Sequence, residues 1–242
     1  MSSTSEQIAG EQTTGDQSSL REKIKKKIQQ YDAGDRFSHI PLQKASILLP
    51  LLIKQDKLHL LLTVRSMKLK TMPGDVCFPG GRRESTDKDE IETALRETHE
   101  EIGLKPEQVE IIGRLVPYIS KTPAYLITPV VAFVEDTFQA CPDPDEVTEV
   151  FHVPLEFFLS SEHYTPLLLK APYFGTNVIH SFNYNDPQMQ KSFTIWGMTA
   201  HFALILSVML LGKGPAFDTN FKLERRLAEC EHALLSFYQS KL

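Results

Sequence analysis

Glu97, Glu100 and Glu101 fall within five consecutive residues of the stretch "TALRETHEEIGL", 93–104. On a helix, Glu101 falls about 40° around the axis from Glu97 and Glu100 about 60° to its other side, so the three carboxylates share a face. Like charges at these spacings repel by roughly 0.2–0.5 kcal/mol per close pair, a cost that an ordinary solvated acidic face also bears. The same face has a second use. A hard divalent cation such as Mg²⁺ or Mn²⁺ takes oxygen ligands and bridges protein carboxylates to phosphates, which the i, i+4 pair Glu97 and Glu101 can supply. Arg96, four residues before Glu100, can hold a carboxylate by a charge-assisted hydrogen bond, while Ile91, Leu95 and Ile102 occupy an adjacent arc suited to a core.

Read from the preceding turn, the chain runs "FPGGRRESTDKDEIETALRETHEEIGL". This resembles the Nudix box, a loop-helix-loop with the pattern G-x5-E-x7-R-E-U-x-E-E-x-G-U, where U is aliphatic. The match runs through Arg96, Glu97, Thr98, Glu100, Glu101, Ile102, Gly103 and Leu104, with Thr98 in an aliphatic position. Asp87 stands where the pattern has Glu, and eight residues rather than seven separate it from Arg96, so little cost is expected from its substitution. The resemblance implies a metal-dependent diphosphatase with Mg²⁺ or Mn²⁺ held by Glu97 and Glu101. Glu100 then completes the cluster or takes a proton from water, and Arg96 orients the carboxylates.

Just upstream, "LLTVRSMKLKTMPGDVCFPGG" resembles the signature of the coenzyme A branch of the Nudix family, L-L-T-x-R-S-x3-R-x3-G-x3-F-P-G-G. It matches at Arg65, Ser66, Gly74, Phe78, Gly80 and Gly81, with Lys70 in place of Arg. The resemblance places these residues at the substrate. Coenzyme A carries a diphosphate and a separate 3′-phosphate, and Arg65 with Lys68 or Lys70 can supply cations at two distances. The implied reaction is hydrolysis of coenzyme A or acyl-coenzyme A to adenosine 3′,5′-bisphosphate and (acyl-)4′-phosphopantetheine. NADH or ADP-ribose as substrate is the alternative within the family, and a non-catalytic module that binds coenzyme A esters is the alternative outside it. "PDPDEVTEVFHVPL" resembles the acidic loop that follows the central sheet in this family, making Glu146 a candidate auxiliary base or ligand.

The elements that must position these residues follow from periodicity. "ASILLPLLI" and "LHLLLTV", joined by the polar "KQDK", read as a β-hairpin. Pro73-Gly74 and Pro79-Gly80-Gly81 punctuate a loop leading to the glutamate helix, which stops at Gly103. "VEIIGRLV" and "ITPVVAFV" are strand candidates, and "PDPDEVTEVFHVPLEFFL" begins as a loop and ends in a short apolar segment. The fold class expected is α/β: a Nudix-like mixed β-sheet sandwiched between α-helices, with the loop-helix-loop box carrying the site. The apolar run 195–211 is near the lower length for a membrane span and contains His201, so a buried helix is expected and no membrane span.

With 242 residues and 41% hydrophobic content, one sizeable core is affordable, and a net charge of −5 offers no bulk attraction to nucleic acid. Three widely spaced cysteines, none in a C-x-x-C pair, point to reduced thiols. There is no H-E-x-x-H, no G-x-S-x-G and no phosphate-binding G-x-x-x-x-G-K-[ST]. Residues 1–18 are polar and expected to be a disordered tail. From Ser19, a capping box with Glu22 and apolar residues at helical spacing mark an amphipathic helix opening the 19–239 domain, its basic run "REKIKKK" solvated, and helices are expected at the domain's C-terminal end. Residues 240–242, Ser240-Lys241-Leu242, form the S-K-L tripeptide read by the peroxisomal import receptor at a free C-terminus, so the peroxisomal matrix is the expected location.

Overall fold

A computed structural model describes residues 5–120, 124–171 and 175–239. Helix α1 (Ser5–Gln29) precedes the hairpin β1 (Gln43–Lys54) and β2 (Lys57–Arg65). Two short strands, β3 (Val76–Cys77) and β4 (Gly80–Arg82), lead into α2 (Glu90–Ile102). Strands β5 (Val109–Arg114), β6 (Tyr118–Ile119), β7 (Tyr125–Val134) and β8 (Val147–Pro154) complete the main sheet. Two ribbons follow, β9 (Leu167–Ala171) with β10 (Gly175–Ile179), and β11 (Ser181–Asp186) with β12 (Lys191–Trp196). The chain then forms α3 (Gly197–Leu211) and α4 (Leu223–Gln239).

Among the described residues the main sheet has eight strands, and it is mixed: β1 pairs parallel with β7 and antiparallel with β2 and β4. The apolar run of β1 is continuous because both faces of the sheet are covered. Ile47, Leu49, Leu51 and Ile53 enter the larger core beneath α1 and α3, whereas Leu48 and Leu52 enter a smaller core with Ala94 and Ile102 of α2. Alternate residues of one strand therefore serve two separate cores. The hairpin turn has Gln55 and Asp56 at φ +50° and +58°, the doubly left-handed geometry whose twist suits a two-residue connection.

Pro50 sits inside this central strand. On one side β1 pairs with β4 at Ala45–Ile47 and with β2 at Leu51–Lys54. Leu48 directs its N–H to that side, to the Pro79 carbonyl at 2.9 Å, so the nitrogen of Pro50 faces the same side, between the two partners. A residue with no N–H fits there without an unpaired donor. The gap admits the Phe78–Gly81 loop.

The helix expected from Ser19 extends back to Ser5 in the structure, so the tail assigned to residues 1–18 is helical over most of its length. Its Gly10 and Gly15 each cost about 1 kcal/mol against Ala but do not break a helix, and Ser19 lies inside it rather than capping it. Helix α3 is apolar all round and buried, as such a helix must be in water. No helix among the described residues is long and apolar enough to cross a membrane. Strands β3 and β4 occupy the expected loop, and the acidic segment after β7 leads into β8, which pairs with β2. The tripeptide Ser240–Leu242 lies outside the described residues.

Candidate active site

Helix α2 starts where Asp89 accepts a hydrogen bond from the Glu92 N–H at 2.9 Å, and it ends at Gly103, whose φ of +73° closes the last turn. Ala94, Thr98 and Ile102 are its buried stripe, with Leu95 half-buried at the margin rather than in the core as expected. Thr98 occupies an aliphatic position of the box without an orphaned hydroxyl, because its Oγ1 donates to the Ala94 carbonyl at 2.6 Å.

That stripe turns the glutamates toward the glycine loop. Gly80 has φ +145°, and a Cβ there would lie 2.2 Å from the Ser46 carbonyl oxygen. Its N–H donates to Glu101 Oε2 at 3.1 Å. A Cβ on Gly81 would lie 2.3 Å from Glu97 Oε2, so the missing side chain is the space the carboxylate fills. Glycine is thus required twice, once by backbone and once by a carboxylate.

Arg96 is the hub. Its Nε and Nη2 donate to Asp87 at 2.9 and 3.0 Å, Nη1 donates to Glu100 at 3.0 Å, and Nη2 reaches Glu97 and the Arg82 carbonyl at 3.1 and 2.9 Å. Asp87 also accepts from the Glu84 N–H and Thr93 Oγ1 and is buried. The hydrogen bonds from Arg96 hold its pKa down at about 2 and, in return, push the guanidinium up. The expectation that Asp87 stands off the working register is therefore corrected. A turn closed by the Asp87 N–H on the Glu84 carbonyl sets Asp87 toward α2, where it anchors Arg96 from a buried position.

Glu101 is 6% exposed, not solvent-facing as a helix-surface ligand would be. Burial pushes its pKa up to about 8, and Glu97 and Glu146 add to the rise, against the Gly80 N–H and Arg65. Glu97 is also raised, first by burial, with Arg96 opposing and Glu100 and Glu146 adding. The sequence alone left Glu146 uncertain, and the structure brings its charge to bear on both carboxylates.

The upstream signature divides. Arg65 faces the site: its charge acts on Glu101, and its Nε donates to the Thr71 carbonyl at 3.2 Å. Lys70 is exposed on the same loop, whose return is made by Gly74 at φ +79°. Ser66 is buried, with Oγ donating to the Pro144 carbonyl at 3.0 Å and N–H to the Glu146 carbonyl at 2.8 Å, so it pins the acidic loop rather than facing a ligand. Lys68 pairs with Asp145 on that loop at 2.5 Å. Phe78 is 3% exposed in the larger core, and the expectation that it meets substrate is corrected: it anchors the glycine loop from behind.

Two groups escaped the sequence reading. Ser46, opposite Gly81 in the sheet, is buried with an Oγ that has no hydrogen-bond partner among the described residues. Cys77 is raised to about 11, first by burial and then against a hydrogen bond from Thr63, with Glu101 adding to the rise, so it is a neutral thiol beside the carboxylates. A serine or cysteine in an apolar strand carries no periodic signal that would mark it.

The donor set suits a hard divalent cation. It is all oxygen, it carries more negative charge than the arginines nearby offset, and an orphaned hydroxyl adjoins it. Among the described residues no three acidic, histidine or cysteine side chains close on one point as a cage.

The NUDIX domain profile matches residues 43–168, a span running from β1 through the box and the acidic loop. The chain belongs to the NUDIX family. Among its relatives, the Peroxisomal coenzyme A diphosphatase NUDT7 of Mus musculus is 44% identical over 225 residues, covering 92% of this chain and 94% of that protein. The mitochondrial Nudix hydrolase 15 of Arabidopsis thaliana is 37% identical over 187 residues, 76% of this chain and 63% of that one. An uncharacterized Nudix hydrolase, NudL, of Enterobacter sp. is 37% identical over 158 residues, 65% and 78% of the two chains.

Proposed function

We propose that the chain hydrolyses the diphosphate of coenzyme A and acyl-coenzyme A, releasing adenosine 3′,5′-bisphosphate and (acyl-)4′-phosphopantetheine. The observation that carries the chemistry is the i, i+4 pair Glu97 and Glu101, seated on the Gly80–Gly81 backbone and braced by Arg96. Support for the substrate comes from the mouse relative and from Arg65, whose charge acts on Glu101, with Lys70 exposed further along the same loop.

Glu97 and Glu101 would hold Mg²⁺ or Mn²⁺. When bound, such an ion neutralises the diphosphate, polarises the scissile P–O bond and acidifies water. Arg96 keeps Glu97 in one rotamer through the rigid fork it shares with Asp87, which limits the reorganisation needed during reaction. Arg65 offers a fixed cation for a phosphate oxygen, and Lys70 a mobile one. Ser46 Oγ, lacking a partner, is placed to hydrogen-bond a water or phosphate oxygen behind Gly81. Glu146 stands on the opposite loop, fixed by Ser66, and takes the proton of the attacking water, while Glu100 is occupied with Arg96.

For location, we infer the peroxisomal matrix, supported by the mouse relative's name and by Ser240-Lys241-Leu242, which engages the import receptor where it ends the chain. The assay that tests the function incubates purified protein with coenzyme A, acyl esters, NADH and ADP-ribose, with and without Mg²⁺ or Mn²⁺, and identifies products by mass. Cation-dependent adenosine 3′,5′-bisphosphate from coenzyme A is expected. Preferential cleavage of NADH or ADP-ribose would reassign the substrate, and binding without turnover would make the chain a recognition module.

A further inference from the structure

A row of side chains on the α3 side of the sheet begins beside the catalytic loop and ends at a cavity. Arg82 of β4 pairs with Ala45 of β1, Ala45 with Ile127 of β7, and Ile127 with Tyr118 of β6. Partners across a ladder share a face, and three strand spacings make the row about 14 Å long. At its start, the Arg82 carbonyl is held by Arg96, and the Arg82 guanidinium lies 5.1 Å from the centre of the Tyr125 ring. Gly81, the next residue back, faces the opposite side, against Glu97. One short strand thus presents the carboxylate site on one face and the head of the row on the other.

At the far end, Tyr118 walls a cavity of about 870 Å³ between β6, α3 and α4, open to solvent on one side. Ile119, Ala233 and Leu234 supply apolar wall, and His201 Nε2 stands 3.6 Å from Cys230 Sγ across another part. Burial lowers His201 to about 4 and raises Cys230 and Tyr118, so this wall is uncharged at neutral pH. The charges present, Arg226 and Glu229, are paired with each other at 3.2 Å and half exposed at the rim. An apolar volume with a few neutral polar groups is the usual form of a site for a hydrocarbon-bearing ligand.

We propose that this cavity receives the acyl group of acyl-coenzyme A, with the pantetheine arm laid along the row from Arg82 to Tyr118. The proposal rests on the substrate reading above and adds the place where esters are told from free coenzyme A. An arm leaving a diphosphate at Gly81 passes over β4, which pairs only with β1 among the described residues, and runs from exposed Arg82 over small, buried Ala45 and half-buried Ile127 to exposed Tyr118 at the cavity.

The test fills the cavity from α4, with Ala233→Trp and separately Ser236→Trp, both at exposed positions that touch no site carboxylate. In the wild type, kcat/KM is expected to climb from acetyl- to dodecanoyl-coenzyme A, by up to roughly fourfold for each methylene buried. Both variants should keep wild-type kcat/KM for free coenzyme A and lose the climb. A chain-length series parallel to the wild type's in both variants overturns the assignment. If the wild type cleaves no coenzyme A substrate, the diphosphatase reading fails separately, and calorimetric titration still decides the cavity. Tighter binding of dodecanoyl-coenzyme A than of coenzyme A, abolished by either Trp, supports it; equal binding of the two overturns it.

Discussion

The guanidinium of Arg96 touches Asp87, Glu97, Glu100 and a backbone carbonyl at once, so the neighbours that hold it matter as much as the carboxylates it holds. Asp87→Asn should cost about 2 kcal/mol, from the difference between an unfolded pKa of 3.8 and a folded pKa of about 2. That stabilisation is fully present above pH 3.8 and is lost as pH falls through 2, so denaturation curves of the variant and wild type should converge in acid. The variant should also lose activity at pH 7 as Arg96 loosens. An unchanged midpoint at pH 7 would remove Asp87 from the site's support. Glu101 titrates in the opposite sense. Its folded pKa of about 8 exceeds the ordinary 4.5, so the folded chain binds the extra proton between these values, and stability falls as pH rises across the window. In cation-free buffer, Glu101→Gln should flatten that fall, and Mg²⁺ should stabilise the wild type more at pH 8 than at pH 6. Differential scanning calorimetry across pH measures both. The glutamates, Arg96 and the glycines were legible because their spacing is the chemistry. Asp87 was misjudged because spacing along the chain does not reveal which way a turn sets a side chain.

At the scale of elements, adjacent glycines separate two kinds of requirement. Gly81→Ala brings a methyl against the end of the flexible Glu97 side chain, which can swing aside. Its melting temperature should stay near wild type while kcat falls by about 10²-fold or more, as the carboxylate leaves the cation position. Gly80→Ala meets the Ser46 carbonyl and the Ile47 Cα, neither of which can move, at a φ that L-residues avoid. It should destabilise the fold by about 3 kcal/mol or more, read from urea unfolding. Equal stability losses in the two variants would contradict the division. Long apolar strands and the all-apolar α3 were readable because burial on both faces leaves an unbroken run. Strands β3 and β4, two and three residues long, were not, because so short a segment contains no period to detect. The same holds for the ribbons β9 to β12, whose pairing depends on partners distant from any local pattern. Helices were expected at the C-terminal end, but α4, with Leu234 its buried residue, carries only ordinary amphipathic spacing and no cap signal that would set its bounds.

Over the whole molecule, the sheet is a partition. The carboxylates lie on the α2 side, and the larger core, α3 and the apolar cavity lie on the other, with β4 presenting Gly81 to one and Arg82 to the other. The sandwich was expected from the mixture of strands and helices; the division of labour between its faces depends on strand register, which no sequence pattern states. Register also has a consequence for how the molecule is made. Strand β1 leaves the ribosome before the other described strands, yet its parallel partner β7 follows roughly 80 residues later, since Gln43 pairs with Tyr125. Until then an unbroken apolar strand has one open edge and, on the larger-core side, a face that α3 has yet to cover. Loop closure over that distance is slow, and an exposed apolar edge recruits other chains. A fragment ending at Ser120 should therefore partition to the pellet, while one carried through β8 to Leu159 gains soluble material, as sedimentation of expressed fragments would show. The nascent chain is most exposed to aggregation, and most in need of a chaperone, while its glutamate helix is already complete and β7 is still inside the ribosome.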